Sequence, residues 1–238
     1  MLTITATPNQ TGVKVSGDYF DLDELNQALY KVLGPEGKYM GYEGSRMRIL
    51  GVSYEIRHAA QGDRNIEFIF NGLNEHAKKK KGMIVPDKNI YYSAEVLWPE
   101  IIYTAIALKD FTQLHLKEAG GTQWDPLLHV ITRFQAIVLD CLQGHVPEEE
   151  YKKVLEAFQA APTVHDYAIQ YVDFLNLRYL DMTKGQREKS LGAIAFKLAV
   201  HDQDYTAFRK QVLAAAEPTK KPIHEIAINL EYPEGIEW

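Results

Sequence analysis

The chain of 238 residues contains a single cysteine, Cys141, which excludes an intrachain disulfide. Such low cysteine usage is typical of proteins in a reducing compartment. The N-terminal segment MLTITATPNQ has neither the basic nor the apolar region of a signal peptide. The most apolar helical stretch, Ile101 to Leu108, is much shorter than the ~18 residues that a membrane span requires. We therefore expect a cytoplasmic protein without a membrane segment.

Motifs of the commonest catalytic classes are also missing. The sequence contains no P-loop, no GxGxxG and no GxSxG, and its eight histidines include no HExxH motif. We accordingly predict neither a cofactor nor a metal site. Acidic residues outnumber basic residues by 32 to 26, which gives a net charge of −6. Nucleic acid is therefore not favoured as a partner.

The residues that are present describe a globular chain, with 46% apolar and 24% charged side chains. Apolar and polar residues alternate in several short N-terminal segments, and this pattern predicts strands. The predicted strands are Leu2–Thr7, Val13–Ser16, Asn65–Phe70 and Asn89–Leu97. A first helix, Leu22–Leu33, is predicted after a capping signal at Asp21 and before the Gly34-Pro35 stop.

From Pro99 onward the apolar spacing predicts only helices. The predicted helices are Pro99–Lys117, Pro126–Leu142, Glu148–Gln159, Val164–Asp181, Lys184–Val200 and Gln203–Ala215. Ile223–Leu230 alternates again and is a candidate strand that would return to the N-terminal sheet. The expected fold class is therefore α+β, with a small sheet and one or two helices followed by a helical bundle. We divide the chain at 1–98, 99–217 and 218–238 and expect one interleaved globular unit.

The stretch Tyr42–Phe70 contains the densest mixture of arginine, histidine, aspartate and apolar residues, and its first part admits two interpretations. Residues 50–56 alternate as in a half-buried strand. On helical spacing, Ile49, Val52 and Ile56 form one apolar face. We favour the helix because residues 59–61 continue it without interruption.

In the helix, Arg46, Ser53 and Arg57 fall in one polar stripe between two apolar faces. Arg48 and Glu55 fall on the other side and are expected to be solvated. A polar stripe between packed faces is the pattern of a candidate binding site.

An anion site is one interpretation of this stripe. Arg46, Arg57 and Arg64 would bind the anion, since guanidinium groups hold phosphate or carboxylate by paired hydrogen bonds. His58 with Asp63 would transfer a proton, because histidine titrates near neutral pH. The candidate catalytic residues are therefore His58 and Asp63, and the candidate binding residues are Arg46, Ser53, Arg57, Arg64 and Asp18.

The structural interpretation of the same residues is that the arginines pair with acidic residues of the first helix. Buried charges must be paired, and Asp18, Asp21 and Glu24 are available for this purpose. Cys141 and His145 could similarly form a nucleophile and its base. We favour a core thiol, because Cys141 continues an apolar stripe and Gly144 breaks the helix.

Three segments resemble an uncharacterised family of bacterial proteins, a domain of unknown function. They are GVKVSGDYFDLDEL at residues 12–25, YEGSRMRILGVSYEIRHAAQGDRNIEF at 42–68 and NIYYSAEVLWPE at 89–100. The resemblance covers roughly residues 12–100. It implies a bacterial cytosolic protein and provides no activity, substrate or catalytic residue.

The sequence favours a cytosolic binding or interaction protein, of which a defence-related or toxin-neutralising role is one form. The alternative is an enzyme that acts on a phosphorylated or nucleotide-like small molecule through the Arg/His/Asp site. The expected partner is an unknown protein or a small anionic ligand. The sequence leaves two points open. One is whether the protein catalyses a reaction, and the other is its oligomeric state.

Overall fold

The computed structural model describes residues 1–118, 122, 124–228 and 231–238 and confirms the α+β class. Its sheet contains four antiparallel strands in the order β1-β2-β4-β3. The strands are β1 (Thr3–Ala6), β2 (Gly12–Gly17), β3 (Asn65–Phe70) and β4 (Lys88–Leu97). All four predicted N-terminal strands are therefore present.

The helices of the described residues lie on and behind this sheet. They are α1 (Tyr19–Leu33), α2 (Glu43–Ala60), α3 (Glu75–Lys81), α4 (Trp98–Glu118), α5 (Pro126–Gln143), α6 (Glu148–Ala160), α7 (Gln170–Leu180), α8 (Lys184–Ala199) and α9 (Gln203–Ala216). None of these helices is long and apolar enough to cross a membrane.

One face of the sheet belongs to the core. Val13 and Val15 of β2 and Ala94 and Val96 of β4 are buried on this face. Helix α1 packs against β2, and α2 packs against β4. The apolar side chains of the sheet and of the C-terminal helices form one continuous cluster. The division at 1–98, 99–217 and 218–238 within one interleaved unit stays a prediction.

Helix α2 confirms the helical interpretation of residues 47–58. Ile49, Val52 and Ile56 are buried, as the apolar spacing predicts, whereas Tyr54 on the second predicted face is 47% exposed. The chain turns after α2 at Gly62, whose φ of 87° lies in the left-handed region that glycine adopts without strain.

Helix α7 is shorter at its start than the predicted Val164–Asp181. The carboxylate of Asp110 on α4 accepts hydrogen bonds from the Val164 N–H (2.7 Å) and from the Thr163 hydroxyl (2.8 Å). These bonds tie the segment to α4, and Asp166 adopts a left-handed φ of 49°. The helix therefore begins at Gln170.

The expected C-terminal strand Ile223–Leu230 is not found in its described part, which ends at Ile228. Ile223–Glu225 forms a 3-10 helix instead. The side-chain amide of Gln170 donates hydrogen bonds to the carbonyl oxygens of Ile223 (2.8 Å) and Ile226 (2.9 Å). These bonds direct the segment to α7, so it adds no strand to the sheet where it is described. Leu230 lies outside the described residues.

Candidate functional site

Arg46 and Ser53 of the predicted polar stripe connect α2 to its neighbours. Arg46 donates hydrogen bonds to the carbonyl oxygen of Gly34 (3.0 Å) and to the carboxylate of Glu43 (2.7 Å). Ser53 is fully buried and donates to the side-chain oxygen of Asn26 on α1 (2.8 Å). Both side chains thus fasten α2 to α1 and to the turn that follows it.

Asp18 caps the start of α1. Its side chain accepts a hydrogen bond from the Asp21 N–H (3.0 Å), and the Asp21 carboxylate accepts one from the Asp18 N–H (3.1 Å). Among the described residues, the predicted ion pairs between the arginines and Asp18, Asp21 or Glu24 are not formed. They are not formed because these two aspartates serve the helix end and Arg46 binds Glu43.

Arg57, His58 and Asp63 lie near one another at the end of α2. The Arg57 guanidinium lies 5.3 Å from the ring centre of Tyr54, and its Nε is buried without a hydrogen-bond partner. His58 Nδ1 lies 2.9 Å from a carboxylate oxygen of Asp63, whose side chain is 56% exposed. The structure therefore brings together the predicted proton-transfer pair, but on open surface.

Arg64 pairs with Glu55 of α2. Its Nε and Nη2 donate to the two carboxylate oxygens of Glu55, at 2.7 and 3.2 Å. These hydrogen bonds raise the pKa of Arg64. Its anion-binding geometry is thus already occupied by Glu55. Within the part of the chain that the structure describes, Arg57 is the predicted anion-binding arginine whose guanidinium forms no ion pair with a carboxylate.

Cys141 does not form a nucleophile–base pair with His145. The His145 ring nitrogen Nδ1 lies 2.9 Å from the carbonyl oxygen of Cys141, where it can donate a hydrogen bond to that oxygen. Burial raises the pKa of the Cys141 thiol to about 11. The thiol therefore stays protonated and weakly reactive at neutral pH.

A buried ion-pair network forms around Arg48, which we expected to be solvated. Arg48 Nε donates to both carboxylate oxygens of Glu100 on α4, at 2.8 and 2.9 Å. Its Nη1 lies 2.7 Å from Asp173 on α7. Burial lowers the pKa of Arg48, but the two carboxylates outweigh this effect and raise it overall. Arg48 thus joins three helices.

The network extends to the C-terminal segment through Asn176 and Tyr232. Asn176 donates hydrogen bonds to Glu100 (3.1 Å) and to the Tyr232 hydroxyl (3.0 Å). The Tyr232 hydroxyl donates to Asp173 (2.8 Å). Burial raises the pKa of Tyr232 to about 12, which keeps this donor protonated. The network therefore has a structural role: it connects α2, α4, α7 and the C-terminal segment, and its main charges are paired.

A cationic cavity of about 400 Å³ lies between α9 and residues 162–165. It is lined by His165, His201, Arg209 and Lys210, together with the ring of Tyr205. Burial and the neighbouring Arg209 charge lower the pKa of His201. The cavity has the chemistry to hold a small anion, although the sequence placed such a site on α2.

A two-stranded ribbon projects from the main sheet. β2 pairs with residues 92–97 of β4, whereas β3 pairs with residues 88–93. Residues 88–91 therefore pair with β3 on one side. On the other side they extend beyond the end of β2. We define the ribbon as residues 65–70 and 88–92.

One face of the ribbon is apolar except for Lys88, which lies opposite Phe70, and this face is open to solvent. The side chains of Ile66, Phe68, Phe70 and Ile90 are 50%, 65%, 58% and 47% exposed. Phe68 is opposite Ile90 in the register, and Ile66 is opposite Tyr92, so these side chains share a face. Through Tyr92 this face continues the buried face of Val13 and Val15. The face of the sheet that is buried against the helices thus continues onto the ribbon, where it is exposed.

The tip of the ribbon is also apolar in part. The connector between β3 and β4 contains α3, whose start is capped by the Asn74 side chain. The four consecutive lysines Lys78–Lys81 lie in the last turn of α3. Behind α3, Ile84 is fully exposed, and Met83 is 38% exposed.

The alternating pattern predicted β3 as a strand but did not predict its exposure. A signal was available, because Asn65–Phe70 has apolar residues on both faces and contains no lysine, proline or glycine. Such a segment needs cover on both faces or a partner at its edge.

Among the described residues, no group of three or more His, Cys, Asp or Glu side chains could hold a metal ion. The family model "Domain of unknown function (DUF6904)" matches residues 2–238, so the chain belongs to this family. Searches of the curated proteins and of the solved structures gave no match.

Proposed function

We propose that this member of the family acts by binding a protein through the apolar face of the ribbon. The proposal rests on the exposure of Ile66, Phe68, Phe70 and Ile90 on one continuous face. Contiguous exposed apolar surface in a soluble domain marks an interaction site. Phenylalanine is also enriched in the buried centres of protein interfaces.

The ribbon is held in place before it meets a partner. β3 pairs with β4 along all six of its residues. On the opposite, polar face, Lys14 of β2 forms an ion pair with Glu67 at 2.5 Å. An ordered binding strand loses little conformational freedom on association, which favours affinity.

The proposed setting is the bacterial cytoplasm, for which the single cysteine is typical. Neutralisation of a toxin by direct binding is one form that this function could take. The alternative of an enzyme with an Arg/His/Asp site has weaker support. Arg46 and Arg64 are engaged by Glu43 and Glu55, and His58 with Asp63 lies on open surface.

Replacement of Phe68 and Ile90 by serine is expected to abolish assembly while leaving the fold intact. Loss of one interface hot spot costs about 2 kcal/mol or more, equivalent to roughly 30-fold in affinity. The measurement is gel filtration with light scattering of full-length tagged protein, both purified and in extract of its native cell. The wild type is expected in an assembly larger than the 27.1 kDa chain.

The matched control replaces Phe20 and Met40 by serine. These side chains are 78% and 87% exposed but lie off the ribbon. The control variant should assemble like the wild type, and circular dichroism should show equal melting temperatures for all three proteins. Equal behaviour of the ribbon and control variants, or a wild type that is monomeric in both samples, would contradict the proposal.

A further inference from the structure

No strand of the described residues pairs with the outer edge of β3. The Asn71 N–H, directly after β3, donates a hydrogen bond to the carbonyl oxygen of Asp87 (2.9 Å). In an antiparallel pair, alternate residues direct their N–H and C=O to the partner strand. Residues 67, 69 and 71 therefore face β4. Ile66, Phe68 and Phe70 direct their backbone groups outward, where β3 ends the described sheet.

This edge lacks the protection that natural edge strands carry. Protected edges contain lysine, proline or a bulge that prevents pairing with another chain. β3 has none of these residues, and it pairs with β4 in unbroken register. Its one charged side chain, Glu67, is paired with Lys14. Both the backbone and the side chains of β3 are thus suited to accept a further strand.

We propose that β3 pairs antiparallel with β3 of a second copy of this chain, about a two-fold axis at Phe68. The inference rests on the proposed function, names a second copy as the partner, and places the contact at the β3 edge of the apolar face. A two-fold axis perpendicular to the sheet keeps the apolar faces of both copies on the same side. The two four-stranded sheets then form one sheet of eight strands.

The hydrogen-bond pattern of β3 selects this register. Outward-facing residues must oppose outward-facing residues, and the register at Phe68 satisfies this rule, since Phe68 meets its own copy and Ile66 meets Phe70. Glu67 then lies opposite Ile69. A register centred on Glu67 would place two carboxylates directly opposite each other, which is destabilising. The register at Phe68 avoids this contact and pairs residues 66–70 of the two copies with each other.

The charges of the ribbon favour the same arrangement. The tip carries Lys78–Lys81 and Lys88 against Glu75 and Asp87, so it is basic. Around the base, four acidic residues exceed the three neighbouring cations Lys14, Arg57 and Arg64. These acidic residues are Glu55, Asp63, Glu67 and Glu95. Antiparallel pairing brings the tip of one copy near the base of the other, so unlike charges approach.

A second copy is favoured over an unrelated strand for this reason. The apolar edge is self-complementary at Phe68, and both the basic and the acidic surfaces lie on one chain. An unrelated partner would have to supply an apolar edge, a basic surface and an acidic surface in the same arrangement.

Cysteine substitution tests the register directly. In the proposed dimer the two Phe68 Cα atoms are about 5.5 Å apart, within disulfide range. The two Glu67 Cα atoms, like the two Ile69 Cα atoms, are roughly 8 Å apart, which is too far. Full-length F68C, E67C and I69C are oxidised mildly and separated on non-reducing gels. The wild type measures the background from Cys141, whose thiol has a pKa of about 11.

The expected result is a cross-linked dimer of F68C that forms at least about tenfold faster than that of E67C or I69C. A mixture of E67C and I69C should cross-link although neither does alone, because positions 67 and 69 oppose each other. Three results would overturn the proposal. They are equal cross-linking at all three positions, no cross-linking above the wild-type background, and cross-linking of unmixed E67C or I69C at the rate of F68C or faster.

Light scattering of the wild type distinguishes failure of β3 self-pairing from failure of the proposed function. This measurement requires no substitution at Phe68. A purified wild type of twice 27.1 kDa is expected. A purified monomer would overturn self-pairing, whereas a ribbon-dependent assembly in cell extract would still support the proposed function. A wild-type dimer whose F68C variant does not cross-link would place the interface on another surface and overturn self-pairing as well.

Discussion

Replacement of Arg48 by alanine is expected to lower the free energy of unfolding by about 3 kcal/mol. The Arg48 side chain is 13% exposed and pairs with Glu100 (16%) and Asp173 (27%). Alanine would leave two carboxylates in a poorly solvated site without a counter-charge. Removal of one partner from such a pair costs more than the pair contributes, because the remaining charge is desolvated. Equilibrium unfolding in urea measures the loss.

Arg64 provides the matched control. It also donates two hydrogen bonds to a glutamate, but Arg64 and Glu55 are 33% and 37% exposed. Exposed pairs contribute at most about 1 kcal/mol, so Arg64→Ala should cost less than that amount. Equal losses in the two variants would show that burial does not determine the contribution of Arg48.

Replacement of Gly12 by alanine is expected to lower the free energy of unfolding by about 3 kcal/mol. A Cβ atom at this position would lie 2.1 Å from the carbonyl oxygen of Val96 in the neighbouring strand. A backbone atom cannot move away as a side chain can, so β2 would have to separate from β4 locally. Urea unfolding and the loss of amide protection along β2 measure this effect.

Gly51→Ala is the corresponding control, because a Cβ at this position in α2 would have no described atom within 4 Å apart from the neighbouring backbone of its own helix. Alanine in a helix is favoured over glycine by about 0.5–1 kcal/mol. Gly51→Ala should therefore raise the free energy of unfolding while Gly12→Ala lowers it. A destabilised Gly51 variant or an unaffected Gly12 variant would contradict this account of the close approach.

Local patterns predicted much of the fold. The four strands and most helices follow from alternation, helical spacing and capping residues, and α2 follows from its buried positions Ile49, Val52 and Ile56. Segments whose conformation depends on distant partners were predicted less well. The late start of α7 requires Asp110 of α4, and the C-terminal 3-10 helix is held by Gln170.

The environment of charged residues was hardest to predict. Arg48 lies on the side of α2 that appears solvated from spacing alone. Its partner Glu100 is 52 residues away in sequence, and no local pattern indicates that α4 and α7 meet there. Arg64 similarly binds Glu55, which lies on the preceding helix. A polar stripe in a sequence therefore predicts a polar contact without identifying its partner.

The exposure of the ribbon could not be derived from alternation either. Ile66, Phe68 and Phe70 have the same alternating pattern as a strand covered by a helix. Their exposure arises because β3 pairs with β4 beyond the end of β2, and this register is a property of the assembled sheet. The pairing register of β3 and β4 therefore determines which apolar side chains are exposed, and the residue types alone do not.

Hydrogen exchange at the amides of β3 tests the central claim most directly. At a protein concentration that favours association, the amides of Ile66, Phe68 and Phe70 should be protected as strongly as those of Glu67 and Ile69, which bond to β4. On dilution, the first three should lose protection while the other two keep it. Fast exchange of the Ile66, Phe68 and Phe70 amides at every concentration, with protected neighbours, would contradict the account.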